Sequence, residues 1–100
     1  MTREYRIDSI ADVTYFYACP KKVFNIIELT QENIRETLSN LTDAELHDYY
    51  PVTEAIDELV TRLFNQADKP RITEENFIKL IDWFRIEDCV NDLNDQEACE

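Results

Sequence analysis

Residues 51–67 carry a periodic apolar pattern that limits how this chain can fold. Apolar residues recur three or four positions apart along the whole stretch, and the positions between them are polar or charged. This is the periodicity of an amphipathic helix with one buried face. Pro51 suits the first helical position, because the missing N–H costs nothing there. Such a helix must be covered by other segments, so we expect the chain to pack around residues 51–67.

The absence of glycine favours helices over β-hairpins. The sequence has no glycine and three prolines, whereas hairpin turns and bulges commonly need glycine. We predict a compact all-α bundle of five or six short helices around helix 51–67. One domain should span residues 1–100, with residues 95–100 as a frayed acidic tail. The alternative is an α+β fold with a small N-terminal hairpin, because residues 13–17 are rich in strand-forming residues.

Capping residues and prolines predict where the other helices begin and end. Residues 1–8 are interpreted as a polar lead-in, and Ser9 with Asp12 resembles a capping box. Threonines at 30, 42 and 73 are predicted N-caps, and the helix before Pro51 should end at Tyr50. The remaining predicted helices span 9–19, 20–29, 31–40, 43–50 and 74–94.

The last predicted helix carries apolar residues on two faces. Phe77, Leu80, Ile81 and Phe84 share one face. At ~100° per residue, a second face lies roughly opposite, formed by Trp83, Ile86, Val90 and Leu93. Three explanations remain open: a helix break near Arg85–Asp88, burial on both sides, or a docking face for a partner.

The predicted core consists of the apolar residues on the buried faces of these helices. Its members are Val52, Ile56, Leu59, Val60, Leu63, Phe64, Phe77, Leu80, Ile81 and Phe84, covered by Phe16, Val23, Phe24, Ile27, Ile34 and Leu38.

The charge distribution excludes several classes of partner. The net charge is −12, and residues 1–30 contain four acidic and four basic side chains. The net charge therefore lies entirely in residues 31–100. Direct binding to nucleic acid is not expected, because phosphate contacts need clustered lysine and arginine. An anionic membrane surface would also repel the chain.

The sequence offers little catalytic or metal-binding chemistry. His47 is the single histidine, and the three cysteines are too widely spaced for a zinc site or a disulfide framework. Without glycine there is no phosphate-binding loop. We expect no enzyme activity, no cofactor and no metal, with a small enzyme using Cys19 or His47 as a minor alternative. No apolar run suggests a signal peptide or a membrane span, so we expect a cytoplasmic protein with reduced thiols.

Carboxylates recur at helical spacing, with aromatic residues beside them. The spacing of about 5–6 Å between such neighbours is comparable with that of phosphates along one nucleic-acid strand. Aromatic residues are enriched at protein interfaces. We therefore predict a partner-binding site formed by Glu54, Asp57, Glu58, Asp88, Asp92, Asp95, Trp83, Tyr49 and Tyr50.

This profile of size, charge and helicity is similar to that of nucleic-acid mimics made by phages and mobile elements, which inhibit restriction or CRISPR enzymes. The hypothesis is a small acidic, non-enzymatic inhibitor that binds the basic nucleic-acid-binding surface of another protein. One alternative is a helical adaptor or homodimer that docks through the face containing Trp83. A solvated acidic surface that only keeps the protein soluble is the simplest alternative.

Overall fold

The computed structural model describes residues 1–20, 26–67 and 72–99. Within these ranges the predicted all-α bundle is confirmed, and the alternative hairpin is wrong because residues 9–18 are helical. None of the described helices is long and apolar enough to cross a membrane. The elements are α1 (Arg3–Val13), a π-helical turn (Thr14–Ala18), α2 (Gln31–Ser39), α3 (Asp43–Leu46), α4 (Tyr49–Gln66), α5 (Glu74–Ile78) and α6 (Trp83–Cys99).

Helix α4 lies at the centre of the bundle, as its apolar stripe predicts. It packs against α2, α3, α5 and α6. The helix begins at Tyr49, two residues earlier than predicted, because the Asp48 side chain accepts a hydrogen bond from the Tyr50 N–H at 3.0 Å. Pro51 lies in the first turn, where an N–H has no partner within the helix. The buried side chains of α4 are Val52, Ile56, Leu59, Val60 and Phe64.

The predicted polar lead-in at residues 1–8 is wrong, because α1 begins at Arg3. The Thr2 side chain caps this helix by accepting a hydrogen bond from the Tyr5 N–H at 3.1 Å. Ser9 and Asp12 therefore lie inside the helix and form no capping box. The buried face of α1, which includes Ile7 and Ile10, joins the same core as α4.

The chain leaves α1 through a π-helical turn that changes which side chains face the core. Thr14 and Ala18 are buried, whereas Phe16 is 62% exposed. The prediction that Phe16 covers the core is therefore wrong. In the wider turn the Cys19 N–H donates to the Thr14 carbonyl at 3.0 Å. Phe16 and Tyr17 point outward, whereas Tyr15 packs partly against the core.

The segment between α1 and α2 is described only from residue 26. The predicted helix 20–29 falls largely on residues 21–25, and these, with the predicted core residues Val23 and Phe24, lie outside the described residues. Residues 26–30 are not helical, so that part of the prediction is wrong, although Ile27 is buried as predicted.

The predicted threonine caps of α2, α3 and α5 are confirmed. Thr30 and Thr42 each form a reciprocal capping box, with Asn33 and Glu45 respectively. Thr73 accepts a hydrogen bond from the Asn76 N–H at 3.3 Å. The short helix α3 ends at Leu46 instead of residue 50.

The long helix predicted for residues 74–94 is broken at residues 79–82, earlier than predicted. The Asp82 N–H donates to the Ala18 carbonyl at 2.7 Å, which ties the break to the π-helical turn. Beyond the break, α6 continues as helix through residues 95–99, the segment predicted as a frayed tail.

Because of the break, the two apolar faces predicted for this region are not buried to the same extent. Ile86, Val90 and Leu93 are buried in the core, so the predicted docking face is not free. Phe84 was predicted as core and is 77% exposed, because α6 turns its opposite face inward. Leu63 and Leu80, also predicted as core, are only partly buried.

A buried arginine connects helices α1, α3 and α6. The Arg6 side chain is 2% exposed, and its Nη1 donates to the Leu46 carbonyl at 3.2 Å. Arg6 Nη2 lies 3.1 Å from Glu97 Oε2, and His47 Nε2 lies 2.6 Å from the same oxygen. A buried guanidinium needs such partners, because an unpaired buried charge is strongly destabilising.

His47 faces two acceptors. Its Nδ1 lies 2.6 Å from the Asp43 carbonyl oxygen, opposite the Nε2 contact with Glu97. A singly protonated ring can donate to only one of them, whereas an imidazolium donates to both. The hydrogen bond from His47 is the main cause that lowers the pKa of the Glu97 carboxyl below its usual 4.5, and the Arg6 charge lowers it further, against the opposing effect of burial.

The Glu97→Gln variant should reduce the free energy of unfolding near neutral pH. A carboxyl whose pKa is lowered by folding stabilises the protein above its unfolded pKa, and this contribution is lost as the pH falls through the folded pKa. The difference between wild type and variant should therefore shrink below pH 4.5. Urea unfolding at a series of pH values measures it, and a difference that stays constant to about pH 3 would contradict the assignment.

Two neighbouring substitutions test the register of α6. Ile86→Ala should destabilise the protein by about 2–5 kcal/mol, since it creates a cavity in the core. Phe84→Ala should change stability by no more than about 0.5 kcal/mol, because the ring is exposed. Chemical denaturation of both variants decides the matter, and equal losses would show that the helix is rotated from the position described.

Candidate functional site

A groove lies between the first half of α4 and the start of α6, and we call it the aromatic–acidic groove. Asp48 starts α4 early enough to include two tyrosines, and the break at 79–82 places Trp83 in the first turn of α6. The packing of α4 against α6 brings these segments together. The groove is lined by Tyr49, Tyr50, Thr53, Glu54, Asp57, Ile78, Trp83 and Glu87.

Five of the nine predicted site residues line this groove. They are Tyr49, Tyr50, Glu54, Asp57 and Trp83. Sequence reasoning missed Glu87, although it lies one helical turn after Trp83 and therefore on the same face of α6.

The other predicted carboxylates lie elsewhere. Asp88 and Asp92 line a second groove, between α1 and α6. Glu58 lines a shallow third groove along α4, together with Arg62 and with Asp57, which borders both grooves. Asp95 is exposed and lines none of the three grooves. The structure thus places five of the nine predicted residues in one groove and the other four outside it.

The carboxylates of the aromatic–acidic groove have no ion-pair partner in the described chain, although Arg62 lines the third groove together with Asp57. Within the described residues, Glu54, Asp57 and Glu87 form no ion pair, and Asp57 accepts only a long hydrogen bond of 3.4 Å from the Thr61 hydroxyl. The nearest cations in the sequence around the break pair with other acids. Lys79 lies 3.4 Å from Glu75, and Arg85 lies 3.2 Å from Asp82.

The aromatic side chains of the groove are available to a ligand. Tyr49 is 43% exposed and Tyr50 is 65% exposed, while Trp83 is half-buried against the core. Large exposed aromatic residues beside a groove are a common feature of protein-binding surfaces. Rings and carboxylates of this groove therefore face the same solvent-filled space.

The second groove has a different character. The Arg85 guanidinium lies over the Tyr17 ring, 5.8 Å from its centroid, so a cation of the protein itself already covers an aromatic face there. The lining carboxylates Asp88 and Asp92 share this groove with Arg85. Its charge is thus partly balanced, in contrast to the aromatic–acidic groove.

Cys19 and Cys89 do not have the surroundings of reactive thiols. Burial raises the pKa of the Cys19 thiol to about 12. The pKa of Cys89 is raised to about 11, mainly by burial and also by Asp92, against a lowering effect of Arg6. Both side chains are therefore neutral thiols near pH 7, whereas a nucleophilic cysteine needs a thiolate. All three cysteines are free.

Metal coordination finds no support in the described part of the chain. No group of three His, Cys, Asp or Glu side chains there is placed to hold a metal ion. No protein-family model, curated protein or solved structure matches this chain. The chemistry of the grooves is therefore the remaining guide to function.

Proposed function

We propose that this protein is a non-enzymatic inhibitor that binds the basic, nucleic-acid-binding surface of another protein. Its carboxylates would occupy positions that phosphates take in the natural complex. The observation that carries the proposal is the uncompensated acidic row on α4 and α6 beside exposed aromatic residues. Phage or mobile-element counter-defence against restriction or CRISPR enzymes is the biological class in which this chemistry is used.

The distribution of ion pairs supports this proposal. Five basic residues of the described chain each pair with an acid, and none of those acids belongs to the predicted site. The pairs are Arg3–Asp43, Arg6–Glu97, Arg35–Asp8, Lys79–Glu75 and Arg85–Asp82. Attraction to a basic surface is therefore strongest where no local cation screens the carboxylates.

The position of the carboxylates on a packed helix also supports mimicry. Glu54, Asp57 and Glu58 project from the exposed side of α4, whose other side is fixed in the core. Carboxylates on a rigid helix keep their spacing, so a partner gains their attraction without the entropic cost of ordering them. An acidic loop would lack this advantage.

A double charge reversal on α4 tests the proposal. Asp57→Lys with Glu58→Lys should weaken capture of the partner from a bacterial lysate by about tenfold or more, because it reverses the charge of a groove carboxylate and of its neighbour on the exposed side of α4. Excess double-stranded DNA should release the partner captured by the wild-type protein. Captured proteins are identified by mass spectrometry, and helicity is checked by circular dichroism.

The matched control is Glu32→Lys with Glu36→Lys on α2. Both residues are exposed, and the change in net charge is the same. This variant should capture the partner like wild type. If both double variants weaken capture equally, the acidity acts only through net charge. If DNA fails to release the partner, the surface bound is not one that binds nucleic acid.

A further inference from the structure

We infer that the aromatic–acidic groove receives the guanidinium group of an arginine side chain from the partner protein. This inference builds on the proposed function, because it names the group on the basic surface that the groove recognises. It depends on the convergence of two independent features, uncompensated carboxylates and exposed aromatic rings, in one groove.

The carboxylates define the charge of the occupant. Glu54 and Asp57 from α4 and Glu87 from α6 line the groove from two helices. No described lysine or arginine pairs with any of them, although five described cations pair with acids elsewhere. A cation entering the groove would therefore be attracted from two sides. An anion or a nucleic-acid phosphate would be repelled.

The aromatic residues define the shape of that cation. Guanidinium is planar, stacks on aromatic faces and is more weakly hydrated than an ammonium group. Its N–H groups also match a carboxylate through two parallel hydrogen bonds. Lysine can supply the charge but not the planar stacking. A groove with both rings and carboxylates consequently suits arginine better than lysine.

An arginine–tyrosine contact within the protein provides an example of this chemistry. Arg85 lies over the Tyr17 ring at 5.8 Å, on the opposite side of α6 from the aromatic–acidic groove. In the groove, Tyr50 presents a ring that is 65% exposed and has no such cation. The groove volume of about 370 Å³ leaves room for a long side chain.

An apolar occupant is disfavoured by the same residues. A hydrophobic helix or side chain in the groove would cover the carboxylates without pairing them, and burying an unpaired charge is costly. Dimerisation through the groove would bring the acids of two copies together, unless each copy supplied an arginine to the other. The test below distinguishes these occupants.

The chain contains one tryptophan, Trp83, and it lines the groove. Its fluorescence therefore reports binding there directly. The probe is a blocked peptide of six residues containing four arginines. The same peptide with lysine, and with citrulline as the uncharged counterpart of arginine, provides the comparison. Titrating each peptide into the full-length protein should give a saturable change with arginine, binding weaker by about three- to tenfold with lysine, and none with citrulline.

Variants assign the signal to the groove. Tyr50→Ser and Glu54→Gln should each weaken binding of the arginine peptide by about threefold or more. Glu36→Gln on α2 makes the same charge change as Glu54→Gln outside the groove and should leave the affinity unchanged. Tyr50 and Glu54 are exposed, so both variants should fold like wild type by circular dichroism.

Three results would overturn the inference: no change in Trp83 fluorescence, equal affinity for arginine and lysine peptides, or equal weakening by Glu36→Gln and Glu54→Gln. Concentration-dependent sedimentation that Tyr50→Ser abolishes would identify a second copy as the occupant.

The peptide titration needs no nucleic-acid-handling partner. If the arginine peptide binds but DNA does not release a captured partner, the groove still binds arginine and the proposed class of target is wrong. If DNA releases a captured partner but the arginine peptide does not bind, the proposed function stands and the arginine groove is wrong.

Discussion

The apolar stripe of α4 is the constraint on which the rest of the structure depends. A helix of 18 residues with five buried apolar side chains cannot remain exposed to water. Helices α2, α3, α5 and α6 satisfy this requirement by packing against it. Since those helices cover one side only, the polar side of α4 stays at the surface. The same helix thus supplies the centre of the core and one wall of the aromatic–acidic groove.

Electrostatic interactions are distributed unevenly over this framework. Arg6 is buried at one end of the molecule, where Glu97 and the Leu46 carbonyl hold it and connect α1, α3 and α6. Other basic residues pair with acids along the surface. None of these pairs involves a carboxylate of the groove. The net charge of −12 is therefore distributed unevenly over the surface.

Much of the secondary structure follows from local interactions, and these parts of the fold are predictable from the sequence. The stripe of residues 51–67 and the threonine caps at 30, 42 and 73 depend on interactions within a few residues. The sequence does not predict the position of the break at 79–82, because no proline or glycine lies there. It is fixed by a tertiary hydrogen bond from Asp82 to the Ala18 carbonyl. The start of α1 is not predicted, because Arg6 is buried in the structure but has the polarity of a surface residue in the sequence.

The candidate site was only partly predictable for a related reason. Helical spacing placed Glu54 and Asp57 on one face of α4, and aromatic content drew attention to Tyr50 and Trp83. Their convergence with Glu87 depends on how α6 packs against α4, and no local pattern encodes that. Asp88, adjacent to Glu87, faces the other groove, because neighbouring residues on a helix point about 100° apart.

In this structure, helix α4 is a rigid support for both the core and the groove. Native-state hydrogen exchange of the backbone amides of Ile56, Leu59 and Val60 tests it most directly. The account predicts that these amides exchange only through global unfolding, with a free energy equal to that measured by urea denaturation. Exchange through local opening at a clearly lower free energy would show that α4 moves independently, and the carboxylates and rings of the groove would then have no fixed arrangement.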